Sequence, residues 1–200
     1  MKPEEKIYYA FYATKKEWLY FNELKLHTKM SNSSLQNALN KLISNKELQE
    51  RKETSNIFYK LADKNKIMLN FSVFDLERLE KLNLNVRIPL KDFLNQIPKQ
   101  IEFILLFGSS SRKEEKKESD IDLLIVLNKF LDEKLQKLYE SEIKKEFEGV
   151  RKAVNVRSTH PLSLAFVNSE EFKTSKDHLL IQAKNTGFPI FGNLEYHKNE

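Results

Sequence analysis

The sequence predicts an α+β protein of two domains, and three observations carry that expectation. Three short helical patterns ending in a hairpin fill the first sixty or so residues. Two apolar runs of strand length follow in the middle of the chain, separated by a highly charged segment. Amphipathic helical patterns and short apolar runs occupy the remainder.

The chain has 200 residues, more than one typical small domain needs. A 40% hydrophobic share is enough for a core, and only 4 Gly and 5 Pro argue against linker or low-complexity character. The sequence contains no Cys, which excludes a disulfide framework, a thiolate zinc site and a cysteine nucleophile. The opening stretch MKPEEKIYYAFY has no apolar signal core. No run reaches the roughly 18 apolar residues of a membrane span. These features predict a cytoplasmic protein with no membrane association. The net charge of +5 is uneven: residues 1–62 hold 11 Lys and Arg against 7 Glu, so +4 of it lies there. That excess points to an anionic partner for the first third of the chain, against the alternative of random surface charge.

Taken in order, Glu4–Ala13 reads as a helix with Ile7, Tyr8, Phe11 and Tyr12 on one face. Leu19–Leu26 reads as a second, with Leu19, Leu24 and Leu26 inward. Ser31 or Ser33 can cap a third, Ser33–Ser44, whose Leu35, Ala38, Leu39, Leu42 and Ile43 form one stripe. Its other face carries Gln36, Asn37, Asn40, Lys41 and Ser44. Leu48–Arg51 and Ile57–Leu61 read as strands joined by a turn at Glu53–Asn56, with Arg51 and Lys52 near the tip. Three helices and a hairpin in this order resemble the winged helix-turn-helix family over residues 4–62. The resemblance implies duplex DNA as a partner through residues 33–60. Gln36, Asn37, Asn40 and Lys41 would face the major groove, and Arg51 and Lys52 would meet phosphates. The same module also serves as a protein-docking or homodimer surface. The first domain is therefore expected at 1–62.

Residues 63–85 read as a linker and connecting helix, with Leu76, Leu79 and Leu82 as a narrow stripe. Val86–Ile97 follows as a helix carrying Val86, Leu90, Phe93, Leu94 and Ile97, ended by Pro98.

The central stretch is Phe103–Leu127, FILLFGSSSRKEEKKESDIDLLIVL. Ile101–Phe107 has the length and apolarity of a buried strand. Gly108 permits a close backbone approach, Ser109 adds a hydroxyl, and the N–H groups of such a turn suit phosphate oxygens. Asp120 and Asp122 open the second apolar run; spaced i, i+2, their carboxylates share one face of a strand. Two hard oxygen donors beside a phosphate turn favour Mg²⁺. The bland alternative is a hairpin with a solvated charged loop. The whole pattern, GSSSRKEEKKESDIDLL, resembles the minimal nucleotidyltransferase domain of the DNA polymerase beta superfamily. Arg112 falls where that family usually has arginine, while Lys113 stands where it often has glycine. The resemblance implies a nucleotidyltransferase fold over residues 86–195, a small mixed sheet flanked by helices, with 196–200 as a polar tail. It assigns Gly108, Ser109 and Arg112 to the nucleotide, Asp120 and Asp122 to the metal and the catalysis, and Mg²⁺ with a nucleoside triphosphate such as ATP as cofactor and substrate.

Active members of that superfamily add a third carboxylate from a later strand. Phe130–Phe147 reads as a helix with Leu131, Leu135, Leu138 and Phe147 inward. Val150–Val167 must then supply the next strand, and it contains no Asp or Glu. Asn155 is the best positional stand-in, Glu170 and Glu171 are the nearest acids, and His160 reads as a turn residue rather than a base. Ser169–Asn185 reads as a final helix, with Gly187 after it. Phe188–Gly192 resembles the closing extended piece of small nucleotidyltransferases.

Two functions remain open on these grounds. One is a Mg²⁺-dependent enzyme that transfers a nucleoside monophosphate to a protein or nucleic-acid hydroxyl, as antitoxin-like domains do to a partner toxin. The other is a non-catalytic DNA-binding regulator whose second domain senses nucleotide or docks a partner. A purely structural adaptor leaves Asp120 and Asp122 unexplained.

Overall fold

A computed structural model describes residues 1–199. The chain divides into two compact units, one of residues 1–74 with the segment from His197, the other of residues 75–196. The dividing line falls inside a helix, Lys64–Glu80, within the stretch expected to connect the domains.

The first unit runs α1 (Pro3–Thr14), β1 (Leu19–Tyr20), α2 (Phe21–Thr28), α3 (Asn32–Ser44), β2 (Leu48–Glu53), β3 (Asn56–Leu61) and the start of α4 (Lys64–Glu80). Pro3 at the first position of α1 needs no intrahelical donor there. Ser31 caps α3, its hydroxyl accepting from the Ser34 N–H at 3.2 Å. Three antiparallel strands form a sheet in the order β1-β3-β2. Ile7, Phe11, Leu24, Leu35, Leu39, Leu42 and Tyr59 build the core beneath. The second helix starts later than expected. Leu19 and Tyr20 pair with Tyr59 and Phe58, and this backbone pairing takes them out of helical register. Leu26, expected inward, is exposed.

One buried acid organises this unit. Glu47 is 6% exposed and accepts from the Tyr8 hydroxyl at 3.0 Å, the Asn45 amide at 3.1 Å and the Lys66 ammonium at 2.5 Å. Burial pushes its carboxyl up, but the three hydrogen bonds and the Lys66 charge outweigh that and hold it below the usual range.

The second unit comprises the end of α4, α5 (Leu84–Gln96), β4 (Phe103–Phe107), α6 (Gly108–Arg112), β5 (Ile121–Leu127), α7 (Glu133–Asn155), β6 (Leu162–Asn168), α8 (Ser169–Thr174), α9 (His178–Thr186), β7 (Phe188–Phe191) and α10 (Asn193–Asn199), which runs on past the boundary. Its sheet has the order β6-β5-β4-β7; β5 and β6 are parallel and the other neighbours antiparallel. It is a small mixed sheet flanked by helices. Ile104, Leu106, Ile121, Leu123 and Ile125 face the core built by α5 and α7. Phe103, Leu105, Phe107, Leu124 and Val126 face Phe172, Leu180, Ala183 and Tyr196 of α8, α9 and α10.

Several local expectations shift here. α7 begins at Glu133, capped by Asp132, and runs to Asn155, so Val150–Asn155 is helix rather than strand. Its buried stripe is Gln136, Ile143, Phe147 and Val154, which rotates Leu135 and Leu138 to the outside, while Leu131 is exposed in the segment before the helix. Leu79 and Leu82 are buried as expected, whereas Leu76 is exposed. The predicted helix Ser169–Asn185 is two helices, because Asp177 caps a new start at α9. Tyr196 is buried, so the segment expected as a polar tail contributes a core residue; Glu200 lies outside the described residues.

Among the described residues no helix is long and apolar enough to cross a membrane.

Glu47→Gln keeps the shape but removes the charge that Tyr8 and Lys66 answer. Denaturant unfolding at pH 7 is expected to show a loss of about 1–3 kcal/mol. The folded-state pKa of Glu47 is depressed, so its contribution is present above the unfolded pKa and lost as pH falls through the folded one. The gap between variant and wild type therefore closes under acid conditions.

Candidate functional site

β4 is buried along its whole length and ends at Phe107, where the register pairs it with Asp122 of β5. The next residue, Gly108, has φ +70, a left-handed conformation, and starts the short α6. A Cβ placed there would stand 2.4 Å from Asp122 Oδ2. Glycine is thus what lets the Asp122 carboxylate lie against the turn. At the other end of α6, Lys113 adopts φ 60, the position where the related pattern often has glycine.

Asp122 sits on the α8–α9 face of β5, alternating with the residues of the α5–α7 core. Burial, and then the charge of Asp120, push its carboxyl above the usual range. Asp120 lies in the turn just before β5 rather than on the strand. Its backbone is tied down: the Ser110 hydroxyl donates to the Asp120 carbonyl at 3.2 Å, and the Ile121 N–H donates to the Pro161 carbonyl at 2.8 Å. The two acids expected to converge are therefore neighbours electrostatically as well as in sequence.

The turn below them is braced from within the same unit. Ser111 Oγ lies within hydrogen-bond reach of the Gly108 and Thr186 carbonyls, at 2.8 and 3.2 Å. Arg78 donates to the Ser111 and Thr186 carbonyls and stacks its guanidinium 4.2 Å above the Phe188 ring. Arg112 donates to the Gly108 carbonyl at 3.0 Å and to Glu114 at 2.7 Å, so it holds the turn as well as bringing positive charge to it. Ser109 is partly exposed beside Gly108. Arg78 carries no recognisable signal in the sequence; only its placement shows what it does.

The candidates for a third acid lie elsewhere. Asn155 closes the connection between α7 and β6, its Oδ1 accepting from the Leu162 N–H at 2.8 Å. Glu171 belongs to the capped first turn of α8, and Glu170 pairs with Lys129 at 3.6 Å. The parallel register sets Ser163 opposite Asp122. His160 is 3% exposed, bonded through both ring nitrogens and closed to a reacting group. Among the described residues no group of three or more His, Cys, Asp or Glu could hold a metal ion. Asp120 and Asp122 are the two acids beside the Gly108 turn. Two carboxylates that repel each other beside this turn could hold a hard divalent ion, whose charge would offset the repulsion.

In the first unit, Gln36, Asn37, Asn40, Lys41, Arg51 and Lys52 are all exposed. The first four share α3, and Arg51 and Lys52 lie on β2. Gln36 donates to Asn40 at 3.0 Å, Lys41 pairs with Glu4 at 2.5 Å, and Arg51 pairs with Glu53 at 2.8 Å. Arg51 also stacks 4.4 Å over Trp18, which the sequence pattern had not singled out.

Residues 89–184 match the family model described as Polymerase beta, Nucleotidyltransferase. The matched span contains Gly108, Ser109, Arg112, Asp120 and Asp122, and over it the chain is similar to that nucleotidyltransferase family. No curated protein matches the chain.

Two substitutions test this geometry. Asp122 has a raised folded-state pKa, so its ionised form penalises folding above that pKa, and the penalty disappears as pH falls through it. Asp122→Asn is expected to raise the metal-free melting temperature at pH 7, with the gain vanishing under acid conditions. Lys113→Gly relieves a left-handed lysine, and denaturant unfolding is expected to show a gain of about 0.5–1 kcal/mol.

Proposed function

We propose that this chain is a Mg²⁺-dependent nucleotidyltransferase that transfers a nucleoside monophosphate, from ATP or another nucleoside triphosphate, to a hydroxyl of a protein or nucleic acid. The observation that carries this reading is the Asp122 carboxylate packed onto Gly108, which sets the acid pair directly beside the Gly-Ser turn. The Gly108 and Ser109 N–H groups and the Ser109 hydroxyl bind phosphate oxygens, and Arg112 adds charge while steadying the turn. Asp120 and Asp122 hold Mg²⁺, which supplies charge neutralisation for the triphosphate. The acceptor oxygen forms its bond to the α-phosphorus, the bond from that phosphorus to the bridging oxygen breaks, pyrophosphate leaves and the hydroxyl proton passes to solvent. A hydroxyl on a partner toxin is an acceptor of the antitoxin-like kind.

The element order of the first unit, with its three helices, hairpin and three-stranded sheet, supports a winged helix that binds duplex DNA through residues 33–60. A second reading keeps that DNA-binding role and treats the other domain as a nucleotide sensor or docking surface. The observation favouring it is Ser163, rather than an acid, opposite Asp122.

Incubation with labelled nucleoside triphosphates, Mg²⁺ and candidate acceptors decides between them. Transfer that is lost in an Asp120→Ala/Asp122→Ala variant supports the enzyme. Mg²⁺-dependent nucleotide binding without transfer supports the sensor, and absence of binding defeats both. For the first unit, Trp18 is the chain's single tryptophan and lies under Arg51. Its fluorescence is expected to change on titration with duplex DNA, with an affinity that falls steeply as salt rises. A flat, salt-independent response overturns the DNA-binding role.

A further inference from the structure

His160 stands apart from the chemistry above and yet touches its scaffold. Its ring Nδ1 lies 2.8 Å from the Ser119 carbonyl oxygen and Nε2 lies 2.6 Å from the Asn85 amide nitrogen. A carbonyl oxygen only accepts, so Nδ1 carries the proton and donates to Ser119. Nε2 then accepts from the Asn85 amide, so both ring nitrogens are engaged and the ring orientation is fixed. Ser119 is the residue before Asp120. The peptide groups around Asp120 are thus held from separate elements: the Ser119 carbonyl by His160, the Asp120 carbonyl by Ser110 of α6, and the Ile121 N–H by the Pro161 carbonyl. The turn that carries His160 is itself closed by Ser158, whose hydroxyl accepts from the His160 N–H and donates to its carbonyl.

The brace extends to the N-terminus of α5. Asn85 anchors the imidazole, and two residues earlier Asn83 donates to Glu115 at 2.6 Å, in the charged segment that leads to Asp120. Both asparagines precede residue 89, where the family match begins. The loop carrying one of the two acids is therefore tied to residues outside the matched span directly through Asn83 and, by way of His160, through Asn85.

We propose that His160, backed by Asn85, is a positioning residue that fixes the backbone of Asp120 and so sets the geometry of the Asp120–Asp122 pair. The proposal rests on the reading of that pair as the metal–nucleotide site. The physical ground is that ligand geometry depends on the groups behind the ligands: loss of such support weakens metal affinity by about 10–100-fold in known sites. His160 is buried and bonded at both nitrogens, so its effect reaches the cation only through the chain.

The test uses the full chain, Mn²⁺ with ATP as the probe, and two variants. His160→Leu removes both hydrogen bonds at similar bulk. Asn85→Ala alters only the exposed end of the brace. Free Mn²⁺ is measured by electron paramagnetic resonance, and amide hydrogen exchange is followed at Ile121 with Leu105 of β4 as an internal control. His160→Leu is expected to weaken Mn²⁺ binding about 10-fold and Asn85→Ala by a smaller factor in the same direction. The Ile121 amide is expected to exchange faster in both while Leu105 is unchanged. Unchanged Mn²⁺ affinity together with unchanged Ile121 exchange overturns the positioning role. If the wild-type chain binds no Mn²⁺, the metal reading fails and exchange alone decides: faster Ile121 exchange upholds the brace, unchanged exchange overturns it. If His160→Leu does not fold, Asn85→Ala decides by the same two measurements.

Discussion

A carboxylate at the mouth of a buried sheet is tolerated only where the surroundings replace the water it has lost, and the second unit is arranged around that constraint. Asp122 follows Ile121 into a strand whose other residues are buried. Its side chain lies where the Cβ of any residue but glycine at 108 would be. The raised pKa records the unanswered part of the desolvation and of the repulsion from Asp120. Structural carboxylates look different. Glu47 in the first unit is more deeply buried, yet Tyr8, Asn45 and Lys66 hold its pKa down. The contrast is between an acid whose partners answer its burial and one, Asp122, whose burial and acidic neighbour are not offset.

Much of the remaining architecture keeps that pair and its turn in place. β4 and β5 supply the rigid floor, packed on both faces. Arg78, Ser111 and the Thr186 carbonyl lock α6 from below, and Arg112 closes on the Gly108 carbonyl. His160, Asn85 and Asn83 lock the charged loop from the α5 side. The loop is rich in lysine and glutamate and would be mobile if judged by composition alone. It is the attachment of its backbone carbonyls and one side chain, not its sequence, that defines the path into β5.

The first unit has its own balance of charge. Its basic excess is partly answered on the surface, by Glu4 for Lys41, Glu17 for Lys60 and Glu53 for Arg51. Such exposed pairs are worth little individually and can be exchanged for other anions. The Trp18 ring between Arg51 and Lys60 holds two of these cations near β2 and β3 without neutralising them.

The motif from Phe103 to Leu127 was legible because its signals are local: an unbroken apolar run, a glycine at a turn and an i, i+2 acid pair each depend on neighbours in sequence. The α3 stripe, its Ser31 cap and the β2–β3 hairpin were legible for the same reason. What the sequence alone could not determine depends on contacts between distant segments. The phase of α7 followed the sheet it packs on and turned Leu135 and Leu138 outward. Leu19 and Tyr20 went to a strand because β3 offered a free edge. Asn155 left the acid face because the helix before it ran on, and the register of β6 put Ser163 beside Asp122. Chain order therefore determined the residues of the acid pair and its turn. Only the tertiary structure decided what stands behind them, because Arg78, Asn85, His160 and the Thr186 carbonyl are brought to them from segments that share no pattern with the motif.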